Sequence, residues 1–165
     1  MNPSRTTMRG RGARQLKLKK QRGVAVVEFA LLTPLLMTIV IGIAQFGWMF
    51  SNYLMVANAA SSGARYFAAQ RGTTNPYSST QTQVGASAAL LTTSKLTIAT
   101  SVNGAACSSD SSCAADLTSA GGTSAVGTAT VTVSYTFAPL FKGSLSRLYT
   151  LMPSSLSASA VERVQ

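Results

Sequence analysis

The chain has 165 residues, with 14 Lys and Arg against 4 Asp and Glu, a formal net charge of +10, two cysteines and no histidine. Without an imidazole base or a paired set of carboxylates it offers nothing arranged for general acid–base catalysis. The scattered glycines of "SAGGTSAVG" also lack the lysine and flanking elements of a phosphate loop, so the expectation is a non-enzyme with no cofactor and no metal.

The positive charge is gathered at the start. Arg5, Arg9, Arg11, Arg14, Lys17, Lys19, Lys20 and Arg22 place eight cations and no anion in the first 22 residues. Such a run can neutralise nucleic-acid phosphates or hold the cytoplasmic side of a membrane. No helix-turn-helix, zinc-ligand spacing or aromatic platform accompanies it, which argues against nucleic acid. The next segment favours the lipid bilayer. From Phe29 to Phe50 the chain reads "FALLTPLLMTIVIGIAQFGWMF" without a charge, and as a helix it would span roughly 33 Å against a hydrocarbon core of roughly 30 Å. Trp48 and Tyr53 suit the aromatic belt at the far interface. A buried core helix of a soluble protein is the competing interpretation, but the chain has few other helices to wrap it. The lysine and arginine bias puts the N-terminus in the cytoplasm and everything after about Tyr53 across the membrane.

Beyond the span, Tyr53, Val56, Ala57, Ala60, Ala64, Phe67 and Ala68 recur at three- and four-residue spacings. The helix is therefore expected to continue as an amphipathic one to about Gln70, with Gly72 and Pro76 breaking it. "STQTQVGASAALLTTS" suggests a short helix with Val84, Ala88 and Leu91 on one side. "KLTIATSV" and "TVTVSYTF" alternate with the period of half-buried strands, and "SSLSASAVERV" is a weaker third strand whose alternation slips near Val161. The expected fold is α+β: a basic leader over 1–23, a membrane helix with its amphipathic extension over 24–72, and a small extracytoplasmic domain over 73–165 with about three antiparallel strands.

Between the first two strands, the polar stretch from Val102 to Val126 holds Cys107 and Cys113 and is expected to be a flexible loop. Outside the cytoplasm the two thiols can close a short surface loop as a disulfide. Free thiols and a metal site are the alternatives, the latter weakened by the lack of histidine. Asp110 and Asp116 lack the repeated ligand spacing of a calcium loop and are expected to be solvated turn residues.

Glu28 is unusual, a single carboxylate at the mouth of the apolar run in "RGVAVVEFALLTPLL". It can sit among lipid headgroups and pair with Arg22. Alternatively, a cut after Gly23 would make Val24 a cationic N-terminus and Glu28 the fifth residue of the product, available to pair with the new amino group of a neighbouring helix. Glycine supplies the extended, accessible backbone a peptidase needs at low steric cost.

The residues from Arg22 to Gly72, with the basic flank, Gly23, Glu28-Phe29, the threonine-proline pair and "NAASSGARYFAA", closely resemble the TadE-like family, minor pilin-like proteins of the bacterial tight-adherence (Tad, or Flp) pilus system. Val131–Val164 is similar to the closing portion of that family. The resemblance implies a pseudopilin of the bacterial cytoplasmic (inner) membrane with Gly23 before the scissile bond, Val24 as the new N-terminus, and Glu28 and Phe29 read by the peptidase or used in assembly. The partners it implies are a prepilin peptidase, other Tad/Flp pilins and pseudopilins, and the inner-membrane assembly platform. Major subunits of these pili usually carry Glu-Tyr where this chain has Glu28-Phe29, and are much shorter. TadG-like relatives carry a further domain with a "DxSxS" metal motif that this chain lacks. An unprocessed single-pass scaffold of the same machinery is the alternative. A secreted protein cut at the small-x-small site Ala57-Asn58-Ala59 is a weaker one, because its apolar run exceeds a usual signal peptide.

Overall fold

The computed structural model describes residues 18–121, 126–140 and 152–165, with side chains from residue 23 onward. The basic leader, apart from the helical backbone from Leu18, lies outside the described residues. Compact packing divides the chain between Ala44 and Gln45.

Helix α1 runs from Leu18 to Ala68. Up to Ala44 its apolar side chains are exposed around most of the circumference, Val24, Phe29, Leu31, Leu35, Ile39 and Ile43 among them. Among the described residues this stretch lacks the cover that the core helix of a water-soluble protein would have. From Asn52 the character changes. Asn52, Val56, Ala59, Ala60, Gly63, Ala64, Phe67 and Ala68 are buried along one face, the three- and four-residue spacing of an amphipathic helix. Tyr53, expected on that face, is instead exposed, and Ala57 is only half-buried, because the stripe runs through Asn52 and Ala59.

Helix α1 ends at Ala68, a little before the expected Gln70, and Gly72 turns the chain with a φ of 79°. Pro76 opens α2 (Pro76–Ser87), where its missing N–H and preset φ cost nothing. This helix starts and stops earlier than expected. Only Val84 of its predicted apolar face lies within it, while Ala88 and Leu91 are buried in the turns that follow.

A single 3-10 turn, Thr93–Lys95, leads into a four-stranded antiparallel sheet of order β2-β1-β3-β4. The strands are β1 (Leu96–Val102), β2 (Ala105–Cys107), β3 (Thr128–Thr136) and β4 (Ser155–Arg163). Three were expected. The additional one, β2, returns from β1 through Asn103 (φ 51°) and Gly104 (φ 83°). Both residues take up the left-handed backbone that a tight hairpin requires, for which Asn-Gly is a strong signal. Central β3 sends Ala129, Val131, Val133 and Tyr135 inward, and β4 packs along its whole length in the register Thr128↔Arg163 to Thr136↔Ser155. The slip near Val161 does not break the strand; Val161 simply points outward and is 60% exposed.

The stretch expected as a flexible loop also holds α3 (Asp110–Gly121). Its start is a reciprocal cap: Ser112 N–H donates to Ser109 Oγ at 3.3 Å, and Ser109 N–H donates to Ser112 Oγ at 3.2 Å. Cys113, Leu117 and Ala120 lie at i, i+4 and i+7 on its buried side. The second half of α1 joins α2, α3 and the inner sheet face in one core, built around Phe67, Leu117, Val56, Val84, Val131 and Val133.

Candidate functional site

The residues singled out at the N-terminal end all lie on α1. Gly23 and Val24 are helical and exposed, and a Cβ on Gly23 would meet nothing within 4 Å. Among the described residues nothing packs where a side chain would stand, and no backbone strain demands a glycine, although glycine costs about 1 kcal/mol relative to alanine inside a helix. Glu28 and Phe29 follow on the exposed surface. Among the described residues Glu28 has no ion pair, since the one salt bridge found joins Arg65 Nε to Glu162 Oε1 at 3.4 Å. The Arg22 side chain, its suggested partner, lies outside the described residues.

The threonine hydroxyls along the apolar run are satisfied locally. Thr33 Oγ1 donates to the Phe29 carbonyl at 2.7 Å and Thr38 Oγ1 to that of Pro34 at 2.8 Å, the i−4 back-bonding that lets a threonine sit on an apolar helix surface. Asn52 Nδ2 does the same to Trp48 O at 2.7 Å. Gln45 is buried, with Nε2 at 3.5 Å from Met152 Sδ and Oε1 without a hydrogen-bond partner among the described residues.

The helix Gly23–Ala68 is long and apolar enough to cross a membrane: an 18-residue window has mean hydropathy 2.4 and none of it is buried within the protein. Residues 23–65 match the family model described as TadE-like protein. This stretch of α1 is similar to TadE-like proteins. The match begins at Gly23, takes in Val24, Glu28 and Phe29, and ends at exposed Arg65, within the part of α1 that packs on the core. It does not extend to Val131–Val164, the second stretch for which a resemblance was expected. No curated protein and no solved structure matches the chain. TadE-like proteins are pilus components with an N-terminal hydrophobic helix and are not an enzyme family, and the TadE-like helix here suits a single-pass membrane protein of such a system.

The cysteines are paired, Cys107 to Cys113 with Cα atoms 5.2 Å apart. The bond does not close a surface loop. It ties β2 to α3 inside the core, where Cys107 and Cys113 are 4% and 0% exposed, and buried Thr100 donates its Oγ1 to the Cys107 carbonyl at 2.7 Å. Asp110 is likewise more than a solvated turn residue. Its Oδ1 accepts from the Ser78 N–H at 2.9 Å and the Ser78 hydroxyl at 3.2 Å, linking the first turns of α3 and α2. These bonds, the backbone N–H first, hold its pKa below the usual value.

A shallow polar groove of about 670 Å³ lies between α1 and α2, lined by residues including Asn58, Ser62, Arg65, Tyr66 and Gln83. It contains no carboxylate pair and no nucleophile–base pair. Among the described residues no group of three or more His, Cys, Asp or Glu side chains is placed to hold a metal.

Proposed function

We propose that the protein is a minor pseudopilin of the tight-adherence pilus machinery, cut after Gly23 by a prepilin peptidase and taking part in pilus assembly through its N-terminal helix. The observation that carries this reading is the TadE-like match beginning at Gly23, a glycine beside which nothing packs among the described residues. Exposed Glu28 is then the fifth residue of the mature chain. It is read by the peptidase or pairs with the Val24 amino group of an adjacent pilin helix, and Phe29 adds apolar contact beside it. In an apolar setting that pairing would be strongly dependent on register.

The basic leader stays in the cytoplasm, the apolar helix crosses the inner membrane once, and the folded domain is extracytoplasmic. The core disulfide supports this orientation, because such bonds persist in oxidising compartments. The leader over 1–23, the helix over 24–72 and the domain over 73–165 are the working parts. Other pilins and pseudopilins, together with the assembly platform, are the partners.

A second reading, an unprocessed single-pass scaffold, draws on the helical conformation of the Gly23–Val24 bond in the intact chain. A peptidase needs that turn unwound, which is inexpensive only near a helix end. Secretion by a cut at Ala57-Asn58-Ala59 fits poorly, since Ala59 and Ala60 are both buried and the cut would sever a helix that builds the core.

Intact mass and N-terminal sequencing of protein purified from cells with an active prepilin peptidase test the proposal. A chain beginning at Val24 is expected; a retained leader supports the scaffold. Glu28→Gln removes the charge while keeping the size. It is expected to insert and be at least partly processed, yet fail to support piliation, and normal pili from a fully processed variant would remove the pairing role of Glu28.

A further inference from the structure

Within the folded domain α1 and β4 run side by side in the same direction. Gln45 Nε2 meets Met152 Sδ at 3.5 Å, Arg65 Nε meets Glu162 Oε1 at 3.4 Å, and the Gln165 N–H donates to the Ala68 carbonyl at 3.2 Å. The sheet register then defines two ends. Leu96, Tyr135 and Leu156 align across the strands toward the Gln45 end, and Val102, Ala129 and Glu162 toward the Ala68 end. Phe137 N–H donates to the Ser154 carbonyl and closes the ladder at the Gln45 end. Leu140 leaves the sheet there and Lys95 enters it there, and both are exposed.

Over the same turns α1 has two unlike faces. Gln45, Asn52 and Val56 are buried in the domain, while Phe46, Phe50, Tyr53 and Leu54, at i, i+4, i+7 and i+8, are uncovered among the described residues. The bare stripe continues that of Ile39 and Ile43. No residue from Phe29 to Leu54 is charged, and as helix that stretch is about 39 Å long against a hydrocarbon core of about 30 Å. Glu28 and the basic leader hold its cytoplasmic end, so the excess falls at the other end, on the turns that already carry the folded domain. Tilting the helix to shorten its span would draw those turns further into the bilayer.

We propose that the Gln45–Met152 end of the folded domain is seated in the extracytoplasmic interface of the bilayer, its partner being the phospholipid surface. The proposal rests on the single-pass orientation given above and adds to it that the domain lies on the membrane and is not held clear of it on a helical stalk. Continuity with the membrane-crossing stretch selects lipid as the occupant, because the same uncharged stripe runs without a break from the span onto the flank of the domain. Trp48 and Tyr53 stand at headgroup level, where amphipathic rings are favoured. Leu140 enters the acyl boundary, and Lys95 lays its methylene stem over lipid with its ammonium among the phosphates. The other end of the sheet carries Glu162 and Arg163 and faces water.

The test uses the full chain in phospholipid vesicles containing lipids brominated either near the headgroup or near the bilayer centre, which quench tryptophan on contact. Trp48 is the only tryptophan, so Trp48→Phe supplies a silent background for single substitutions. Leu140→Trp is expected to be quenched by lipid brominated near the headgroup as strongly as Trp48 is in the parent. Val126→Trp is the control: Val126 is as bare as Leu140, 59% against 52% exposed, but adjoins Gly127 at the other end of the sheet, so it should emit as in water and respond to neither lipid. Should Leu140→Trp alter the circular dichroism, Ser155→Trp, exposed at the start of β4, takes its place. Ile39→Trp, at the middle of the Phe29–Phe50 run, reports the span itself. Quenching from the bilayer centre in Ile39→Trp with none in Leu140→Trp or Ser155→Trp would overturn the seating and leave the single-pass reading standing, whereas no quenching in Ile39→Trp would overturn both. Equal quenching of Leu140→Trp and Val126→Trp, or a Leu140→Trp emission shielded from water yet insensitive to brominated lipid, which marks a protein neighbour, would also overturn the proposal.

Discussion

Gly63 and Gly85 both occupy helices, yet the same substitution should move stability in opposite directions. At Gly85 in α2 an added Cβ meets nothing within 4 Å, so Gly85→Ala should stabilise by about 0.8–1 kcal/mol through helix propensity alone. At Gly63 the new methyl would overlap Val84 Cγ2 and stand 3.3 Å from Val131 Cγ1. It sits where α1 meets both α2 and the central strand. Each neighbour is fully buried and β-branched, with little freedom at χ1. Overpacking of a close-packed core costs about 1–3 kcal/mol, which offsets the propensity gain, so Gly63→Ala should come out neutral to about 2 kcal/mol less stable than the parent. Urea unfolding of the detergent-solubilised chain, followed by near-ultraviolet circular dichroism of the core tyrosines, measures both variants against the parent. Gly63→Ala as stable as Gly85→Ala would refute the close helix–sheet approach at Val84 and Val131.

Closing a segment with a sequence separation of 6 is worth about 2 kcal/mol in the chain-entropy treatment, so replacing Cys107 and Cys113 by alanine should lower the urea midpoint by that equivalent, and reductant should have no effect on the double variant. Asp110 has a folded-state pKa below its ordinary 3.8; its contribution is present above that value and lost as pH falls through the lowered pKa. Acid titration of unfolding should therefore be shallower over that range in Asp110→Asn than in the parent, and identical profiles would remove the Ser78 contact as a source of stability. Gly23→Val has open space around it and should leave the folded domain's unfolding curve unchanged while blocking the cut at Val24, as read from intact mass.

Local chemistry settled the helix and the strands of strong period. The uncharged run from Phe29 to Phe50 and the alternation of Val131, Val133 and Tyr135 each exceed what composition noise can imitate, and both appear where their pattern puts them. The TadE-like character of α1 was legible for the same reason, since Gly23, Glu28 and Phe29 lie in one contiguous segment. The segment from Asn103 to Gly121 was misread because its serines, aspartates and glycines suggest a loop, although its alanines, its Asn-Gly turn, its Ser109–Ser112 cap and its Cys113, Leu117, Ala120 spacing all carried the signal. Weak local preferences of this kind become a helix only when a core receives their apolar face. Which side of α1 faces that core, why Gly63 must be small, that the disulfide lies inside the core, and that β4 is the last strand of the sheet among the described residues were decided by tertiary structure. Each depends on which residues distant in sequence are brought into contact, and periodicity along one strand or helix holds no record of its neighbour.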